Sequence, residues 1–569
     1  MHDLVIRDGL IVDGTGAPAR SGDVAVDGGR LAQVGGKAGP GRRELAAGGR
    51  LITPGFIDVH THYDGQATWD PMLAPSSWHG VTTIVMGNCG VGFAPVRPDK
   101  HEWLINVMEG VEDIPGTALS EGIPWGWEGF PQYLDALDRA PHAIDIGAQL
   151  PHGALRAYVM GERGAANEPA SEADIARMSA LLEEALLAGA LGFTSTRTVL
   201  HRTKDGAHVP GYQVAVDELR RIVEPMKRLD KGAIGINSDF VDVAGELAWM
   251  RRLQRATGRP VWFLLVQFND DPQKWRRILA GCEAASAAGE PLLAQVAGRP
   301  IGFLLGLESS LHPFMSRPSY KAIARLPLPE RVARLREPAM RQAILAERVS
   351  HKSDVMRTVT ERFDRMFRLG DPPDYEPPPE ASVAAIAERE GRAPAEIAYD
   401  MLLEREGREL LFMPAFNYAG GDHAVIAEMM AHPNTLLGLS DGGAHCGLIC
   451  DASTPTFMLT HWARDRRRGP KLALEEAVRQ QTSGTAALYG LGDRGVLAPG
   501  KKADLNLIDL AGLILRAPEM VRDLPAGGRR LVQRAEGYAA TVVAGEVTFE
   551  NGQATGALPG RLVRGARSA

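Results

Sequence analysis

Short apolar runs alternate with helix-length amphipathic stretches through the middle of this 569-residue chain. A short apolar run is typical of a buried strand, and a longer stretch with a 3.6-residue apolar period is typical of a helix. We predict strands at 82–86, 144–148, 192–195, 233–236, 261–266, 291–295 and 436–440. Six or more such alternations over about 430 residues favour one α/β barrel over several separate domains. The fold class that we expect is α/β, a (β/α)8 TIM-like barrel.

Both ends of the chain show a different pattern, in which apolar runs are broken by Asp-Gly and Asn-Gly pairs that are typical of hairpins. Chain termini often lie close together, so these strands can share one sheet. We predict a small β-sandwich domain made from residues 1–54 and 491–569, with the barrel over residues 55–490. The barrel region is longer than eight β–α units need, and we assign the surplus to an insertion at about 299–380, which is rich in Pro and Arg.

Composition excludes several classes of protein. The net charge is −7, whereas nucleic-acid-binding proteins are usually basic. Four cysteines are too few for a disulfide framework. The first residues show no secretory signal, and no uncharged apolar run is long enough to span a membrane. We therefore expect a cytoplasmic protein that has neither nucleic acid nor a membrane as partner.

The strongest chemical signal is a His-x-His pair, His60 and His62, at the end of an apolar strand. Residues two apart on a strand point to the same face. Two imidazoles placed in this way can bind one cation, and neutral imidazole suits zinc. Active sites lie at the carboxyl ends of the strands in such barrels. The pair therefore predicts metal ligands.

Two further strand ends carry groups that suit a metal site. Cys89 stands between glycines in residues 87–90, and a thiolate can bind or bridge a metal. Asp441 follows a late strand and precedes two glycines. In metal-assisted hydrolysis a carboxylate binds the metal or takes a proton from the attacking water. By itself each motif also fits a structural role.

Taken together, His60-Thr61-His62, the Gly-Asn-Cys-Gly of residues 87–90 and Asp441 resemble the amidohydrolase superfamily. The closer resemblance is to its N-acyl-D-amino-acid deacylase (D-aminoacylase) group, and it covers nearly the whole chain. Residues 149–153 resemble the His-Gly of that group, and residues 485–509 its return from barrel to β domain. The His-x-His pair is common to the superfamily, whereas Gly-Asn-Cys-Gly is more specific to the D-aminoacylase group.

The resemblance implies a metal-dependent hydrolase that cleaves a linear amide, with N-acylated D-amino acids as the substrate class. His60 and His62 would hold a metal that activates water. Asp441 would accept the proton and pass it to the leaving amine. His152 would orient the substrate or the developing oxyanion. The substrate would be a small molecule with an amide and a carboxylate, for which Arg197 and Arg299 are candidate clamps.

A gap in the lysines agrees with the D-aminoacylase group. Many dinuclear amidohydrolases bridge their metals with a carboxylated lysine on the fourth barrel strand. We place that strand near residues 144–149, or at latest 192–195, and no lysine occurs between Lys100 and Lys204. In D-aminoacylases a cysteine takes the place of this lysine, and Cys89 matches it.

The chain departs from the family pattern after the fifth and sixth strands. Asn237 and Gln267 stand where the family has histidine ligands, and amides are poor zinc ligands. We therefore expect one functional divalent metal, zinc, rather than two, and we retain both amides as substrate-binding candidates. His201, His208 and His445 could replace a lost ligand, although a loop or outer position fits each of them better.

Two alternatives stay open from the sequence. One is a cyclic amidase of the dihydropyrimidinase kind, against which the missing lysine counts. The other is a non-catalytic barrel with a degraded metal site, against which the intact His60, His62 and Asp441 count. The acyl group, the D or L preference, the metal and its number, the role of the insertion and a homo-oligomeric state are not fixed by the sequence.

Overall fold

The computed structural model describes residues 1–212, 214–351 and 353–565. At its centre lie eight parallel strands, which we number in chain order: β1 (Phe56–Asp58), β2 (Val81–Met86), β3 (Asp145–Ala148), β4 (Gly192–Arg197), β5 (Ala233–Ser238), β6 (Val261–Leu264), β7 (Leu292–Val296) and β8 (Thr435–Leu437). The predicted strands are found within a few residues of these bounds. The fourth strand is the later of the two predicted stretches, because residues 145–148 form β3.

The eight strands pair in chain order within two parallel ladders. β1, β2 and β3 form one parallel ladder, and β4 to β8 form another. The short strand Leu150–Pro151 directly follows β3 and pairs with β4. A parallel bridge between Thr61 and Gly442 joins the segments that follow β1 and β8. The residues that follow these two strands are therefore held side by side.

Helices connect most of these strands. Before β7 they are His101–Glu112, Gly116–Gly122, Phe130–Arg139, His152–Met160, Glu162–Ala165, Glu172–Ala188, Val216–Ile222, Glu224–Leu229, Val243–Thr257 and Lys274–Ala287. After β8 they are Thr454–Phe457, a π-helical turn at Met458–Asp465, Leu474–Gln481 and Ser483–Leu488. In Glu172–Ala188 the sequence sets both ends of the helix: the Ser171 side chain caps its first turn, and Gly189 ends it with a φ of +116°.

Both ends of the chain contribute to one nine-stranded sheet. Its members are His2–Ile11, Arg20–Asp27, Arg30–Val34, Gly41–Ala46, Leu51–Pro54, Leu505–Ile508, Tyr538–Val543, Glu546–Glu550 and Gln553–Ala554. Leu505–Ile508 pairs antiparallel with Leu51–Pro54 and so joins the two halves. Two small ladders, Ile514–Leu515 with Ala535–Glu536 and Glu519–Leu524 with Gly528–Val532, lie outside this sheet. The predicted domain boundaries at 54/55 and 490/491 stay predictions.

Residues 297–434 lie between β7 and β8 and hold most of the surplus length. Three antiparallel strands, Gly302–Leu305, Phe367–Arg368 and Leu411–Pro414, form a small sheet there. Its helices are Pro318–Ile323, Leu328–Leu335, Pro338–Ala346, Asp354–Glu361, Val383–Glu390, Pro394–Leu402, Glu404–Gly407 and Ala424–Ala431. The apolar side chains of this region form a cluster separate from the main core. The extra structure therefore continues past residue 380, the end that the sequence predicted.

Within the described residues, no helix is both long enough and apolar enough to cross a membrane.

Candidate metal centre

His60 and His62 lie just beyond the carboxyl end of β1, and both are buried. Their ring centroids are 5.4 Å apart. The backbone of this segment is held on both sides, since Thr61 N donates to Val85 O and His62 N donates to Gly442 O. Such pairing fixes where the two imidazoles point. The structure therefore brings the predicted His-x-His pair into one buried location.

Gln295, on β7, sets the orientation of the His60 ring. Its amide oxygen lies 2.8 Å from His60 Nδ1, so this nitrogen carries the proton and Nε2 keeps a lone pair. Metal-binding histidines usually donate their second ring nitrogen in this way. His60 Nε2 lies 3.5 Å from Cys89 Sγ and 3.4 Å from Asp441 Oδ1. Gln295 was not predicted as a site residue, although a polar residue near the end of an apolar strand is a signal.

The loop after β2 brings Cys89 to the histidines through a tight turn. Gly87, Cys89 and Gly90 all have positive φ, of +80°, +55° and +71°. A Cβ on Gly87 would lie 2.2 Å from Gln149 O, so only glycine fits there. Positive φ at a cysteine is strained, and such strain is found mainly where the surroundings enforce it. The Cys89 Sγ and one nitrogen each of His60 and His62 lie within 4.8 Å of one another.

Asp441 joins this cluster from the segment after β8. Its backbone N donates to His60 O, and its φ is +49°. Its Oδ1 lies 3.4 Å from His60 Nε2 and 3.6 Å from His62 Nε2. One carboxylate oxygen thus faces both imidazoles, as a group that shares a cation or a water with them would.

Glu112 is a buried carboxylate beside this cluster that the sequence did not indicate. Its Oε1 lies 3.4 Å from His62 Nδ1, and its Oε2 lies 3.7 Å from His445 Nε2. His445 also approaches the free oxygen of Asp441, with 4.0 Å between Nε2 and Oδ2. His62 Nδ1 and Glu112 Oε1 are buried, and neither has a hydrogen-bond partner in the part of the chain that the structure describes. His445 is therefore a neighbour of the cluster through Glu112 and Asp441, and Glu112 stands behind His62.

Burial and the neighbouring charges shift the titration of these groups. Burial lowers the pKa of His60 to about 4, although the charge of Asp441 opposes the shift. Burial raises the pKa of Cys89 to about 11. Burial alone would also raise the pKa of Asp441, but the hydrogen bond from His62 and the charge of His60 bring it below its usual value. His60 is therefore neutral and Asp441 ionised at neutral pH, as metal ligation requires.

Asn237 lies near Cys89. Its Nδ2 is 4.0 Å from Cys89 Sγ and 3.3 Å from His201 Nε2. His201 comes from the loop after β4, and its Nδ1 lies 3.0 Å from Thr196 Oγ1. Burial lowers the pKa of His201 to about 3. An imidazole from a neighbouring loop therefore stands beside the position where the family has a histidine.

Gln267 and Arg299 differ from their predicted roles as substrate-binding groups. Gln267 Nε2 donates to Pro272 O, and its Oε1 accepts from Ala419 N, so both ends of the amide are used within loops. Arg299 is 1% exposed, and its guanidinium donates to Asp451, Ser453 and Cys450 O. An arginine with these partners has no free edge for a substrate carboxylate. The structure gives both side chains a supporting role.

Arg197, at the end of β4, keeps more freedom. Its Nη1 donates to Val214 O, its Nη2 lies 3.5 Å from Glu246, and its guanidinium lies over the Trp249 ring. Its Nε is buried and has no hydrogen-bond partner among the described residues. Of the two predicted clamps, Arg197 is the one with a donor to spare.

His152 and His208 are not placed among the metal-ligand candidates. His152 Nδ1 lies 2.8 Å from Ser195 Oγ, and its Nε2 lies 3.3 Å from Glu218. The next residue, Gly153, donates its N–H to Gly90 O and so touches the Cys89 loop. His208 stacks on the Tyr212 ring. The His152 ring thus contacts Ser195 and Glu218, the backbone beside it contacts the Cys89 loop, and its oxyanion role stays a prediction.

The donor set fits a divalent cation. It combines two imidazoles, one thiol and one carboxylate, which are the ligand types that zinc takes. His62 Nδ1 and Glu112 Oε1 are both buried, and a metal on the other ring nitrogen would favour a hydrogen bond between them. β4 carries no lysine, so a lysine bridge is excluded from that strand.

Comparison with known proteins identifies the family of this chain. A model of the amidohydrolase family matches residues 43–549. The chain belongs to the amidohydrolase family. An N-acyl-D-aspartate deacylase of Alcaligenes xylosoxydans xylosoxydans is 28% identical over 90% of this chain and 86% of its own length. A D-aminoacylase of the same organism is 27% identical over 99% of this chain and 97% of its own length.

Solved structures of the family share the fold. An N-acyl-D-glutamate deacylase from Bordetella bronchiseptica, in complex with zinc and a phosphonate inhibitor, has a TM-score of 0.65 to this chain. The match is 24% identical and covers 99% of both chains. The resemblance to the amidohydrolase superfamily and its D-aminoacylase group is thereby confirmed.

Proposed function

We propose that this amidohydrolase removes the acyl group from N-acyl-D-amino acids with the help of one divalent metal at the His60–Cys89 centre. The observation that carries the proposal is the convergence of His60, His62, Cys89 and Asp441 beyond the ends of β1, β2 and β8. The relatives that deacylate D-amino acids give the substrate class.

The metal would be held by His60 and His62, with Asp441 and Cys89 completing the set. A divalent cation in such a site lowers the pKa of a bound water and polarises the amide carbonyl. Zinc suits these ligands. Asn237 in place of an imidazole supports one metal rather than two at this centre.

The chain's own residues would manage the proton. Asp441 is ionised and can accept a proton from the attacking water through Oδ1, which faces the two histidines. It would then donate that proton to the leaving amine nitrogen. Glu112 would hold the His62 ring through Nδ1, as Gln295 holds that of His60.

The substrate carboxylate needs a separate partner. Arg197 lies at the carboxyl end of β4, the edge on which such barrels build their sites, and it has an unpaired Nε. We propose Arg197 as the clamp for that carboxylate. We also propose that the eight strands close into a (β/α)8 barrel over residues 55–490, beside a β-sandwich of residues 1–54 and 491–569.

The test is a turnover screen with the full-length protein. N-acetylated amino acids of both hands would be supplied with zinc, cobalt or manganese, and the released amine would be measured. We expect hydrolysis of D substrates that a chelator stops, and none by His60→Ala. His2→Ala, which removes a histidine on the terminal sheet paired with Asp27, is the matched control and should keep full turnover.

Three results would overturn the proposal. Faster opening of hydantoin or dihydropyrimidine rings than of linear amides would favour a cyclic amidase. Turnover that survives both the chelator and His60→Ala would remove the metal centre from the reaction. A folded protein that binds no metal and turns over no member of the screen would be a non-catalytic barrel.

A further inference from the structure

A second group of metal-binding side chains lies away from the ends of β1, β2 and β8. It consists of Glu376, His423 and His461, and we call it the distal cluster. Glu376 lies in the Pro-rich stretch of the region between β7 and β8, His423 precedes the helix Ala424–Ala431, and His461 lies in the π-helical turn after β8. Three segments far apart in the sequence thus meet in one place. The mechanism proposed above uses none of these residues.

The distances within the distal cluster match a tetrahedral site. His423 Nδ1 lies 3.1 Å from His461 Nε2, and Glu376 Oε2 lies 3.1 Å from His461 Nε2 and 3.7 Å from His423 Nδ1. Nitrogen and oxygen ligands lie about 2.0–2.1 Å from zinc, which puts two tetrahedral ligands about 3.3–3.4 Å apart. The three observed distances scatter around that value. One ion could therefore contact all three atoms with little rearrangement.

The proton on His423 is placed away from the cluster. His423 Nε2 lies 2.8 Å from Tyr375 O, and a carbonyl can only accept, so Nε2 carries the proton and Nδ1 has a lone pair. A histidine that donates one nitrogen to a backbone carbonyl and turns the other inward is the usual arrangement of a metal ligand. His423 is also completely buried. Its Nδ1 therefore cannot turn to bulk water for a partner.

Glu376 is held by groups behind it. Arg466 donates to both carboxylate oxygens, at 3.1 and 3.2 Å, and the backbone N of His423 donates to Oε1 at 2.8 Å. Metal-binding carboxylates are commonly fixed by such outer hydrogen bonds. Oε2 accepts from Arg466 Nε and is also the oxygen that lies toward the two imidazoles. The positive charge of Arg466 lowers the affinity of the cluster for a cation, but the spacing of the three ligand atoms stays suitable for one ion.

His461 supplies the side of the cluster that reaches solvent. Its side chain is 17% exposed, whereas those of Glu376 and His423 are 3% and 0% exposed. It stacks on Phe457 with 4.5 Å between ring centroids, which fixes its plane. Short π-helical turns are rare and are found frequently at functional sites.

We propose that Glu376, His423 and His461 bind a zinc-type divalent cation, distinct from the one at the His60–Cys89 centre. The ion would fasten the Pro-rich end of the inserted region to the helix before β8 and to the turn after it. The donor set of two imidazoles and one carboxylate suits zinc among the divalent metals. The alternative is a metal-free network in which His461 Nε2 shares its proton with Glu376 and His423. This proposal does not depend on the deacylase activity.

The test counts zinc in full-length protein whose first centre is removed by His60→Ala, His62→Ala and Cys89→Ser. We expect this background to bind one equivalent of zinc, and cobalt to give the absorption bands of a tetrahedral site. Loss of an outer partner costs about 10–100-fold in metal affinity, so adding His461→Gln, which removes a ligand, should weaken binding by at least about tenfold. His432→Gln is the matched control. His432 follows the helix Ala424–Ala431, which His423 precedes, and it pairs with Glu283 outside the distal cluster.

The result is independent of whether the variants are active. Circular dichroism and the melting temperature show whether His461→Gln is folded, and zinc-edge anomalous scattering from crystals of the unmutated protein locates the ion directly. A background that binds no zinc would overturn the proposal and favour the proton-sharing network. Unchanged binding after His461→Gln, or no anomalous peak at the distal cluster in zinc-soaked crystals, would overturn it as well.

Discussion

The candidate centre has two flanks that offer a cation different chemistry. The β1–β8 flank consists of His60, His62 and Asp441, and its carboxylate oxygen Oδ1 lies 3.4 Å and 3.6 Å from the Nε2 atoms of the two imidazoles. The β5–β6 flank presents Asn237, and Gln267 is tied to loop backbone. Cys89 lies between His60 and Asn237. One flank is thus equipped to hold an ion, whereas the other is equipped to contact a neutral group.

The difference predicts that the proposed metal and proton chemistry depends on one flank only. In the proposed reaction, water activation and proton transfer would use the metal and Asp441, both of which are assigned to the β1–β8 flank. On the β5–β6 flank, the Asn237 amide lies 4.0 Å from Cys89 Sγ. The variants below test this division.

The largest effect is expected from Asp441→Asn. The amide cannot accept the proton of the water, and general acid–base groups contribute about 10²–10⁴-fold to rates. We expect kcat to fall by that factor while the protein stays folded, as measured by amine release and by the melting temperature. Asp99→Asn, at a carboxylate whose side chain is 75% exposed, should leave kcat unchanged. Retention of kcat within about threefold would remove Asp441 from the proton transfer.

Two glutamines provide the second test, one for each flank. Gln295→Leu removes the acceptor of the His60 Nδ1 proton, and such losses cost about 10–100-fold in metal affinity. Gln267→Leu removes hydrogen bonds between loops, so we expect a loss of about 1 kcal/mol in the free energy of unfolding and no change in metal affinity. Zinc titration and chemical unfolding of both variants separate the two effects. Equal weakening of zinc binding would contradict the division into flanks.

The parts of the centre that could be predicted from the sequence are those that follow a strand directly. His60, His62, Cys89 and Asp441 each stand a few residues beyond an apolar run, and the geometry of parallel strands brings such positions to one edge. The apolar runs also predict the strands themselves, because a strand that is buried on both faces is apolar along most of its length. The position of β4 in the strand order is ambiguous from the sequence, because residues 144–149 and 192–195 are both candidates for the fourth strand.

The outer contacts could not be predicted in this way. Glu112 ends a helix of the β2–β3 connection, and nothing in that helix marks it as a partner of His62. His201 lies in a loop whose path depends on tertiary contacts. Arg299 was proposed as a clamp by residue type alone, and its partner Asp451 is far along the chain. The distal cluster joins three distant segments, so no local spacing reveals it.

The third test adds a metal site to the β5–β6 flank through Asn237→His. An imidazole at this position would stand beside Cys89 and His201, which together offer three ligands of the type that zinc prefers. In a His461→Gln protein, which lacks the distal cluster, we expect zinc to rise from one equivalent toward two. Asn237→Gln is the control and should leave the count at one. If the His461→Gln protein with Asn237 unchanged already bound two equivalents of zinc, the β5–β6 flank would hold a metal without the substitution.

The smallest effect is expected from His201→Gln. His201 Nε2 faces Asn237 and its Nδ1 faces Thr196, so its nearest contacts are protein groups. Loss of one hydrogen bond costs about 0.5–1.5 kcal/mol, so kcat/KM should fall by less than roughly tenfold, with the zinc content of the centre unchanged. The measurement is zinc content by mass spectrometry together with amine release. If His201→Gln empties the centre as His60→Ala does, His201 is a ligand, and the β5–β6 flank binds the ion through a loop in place of its strands.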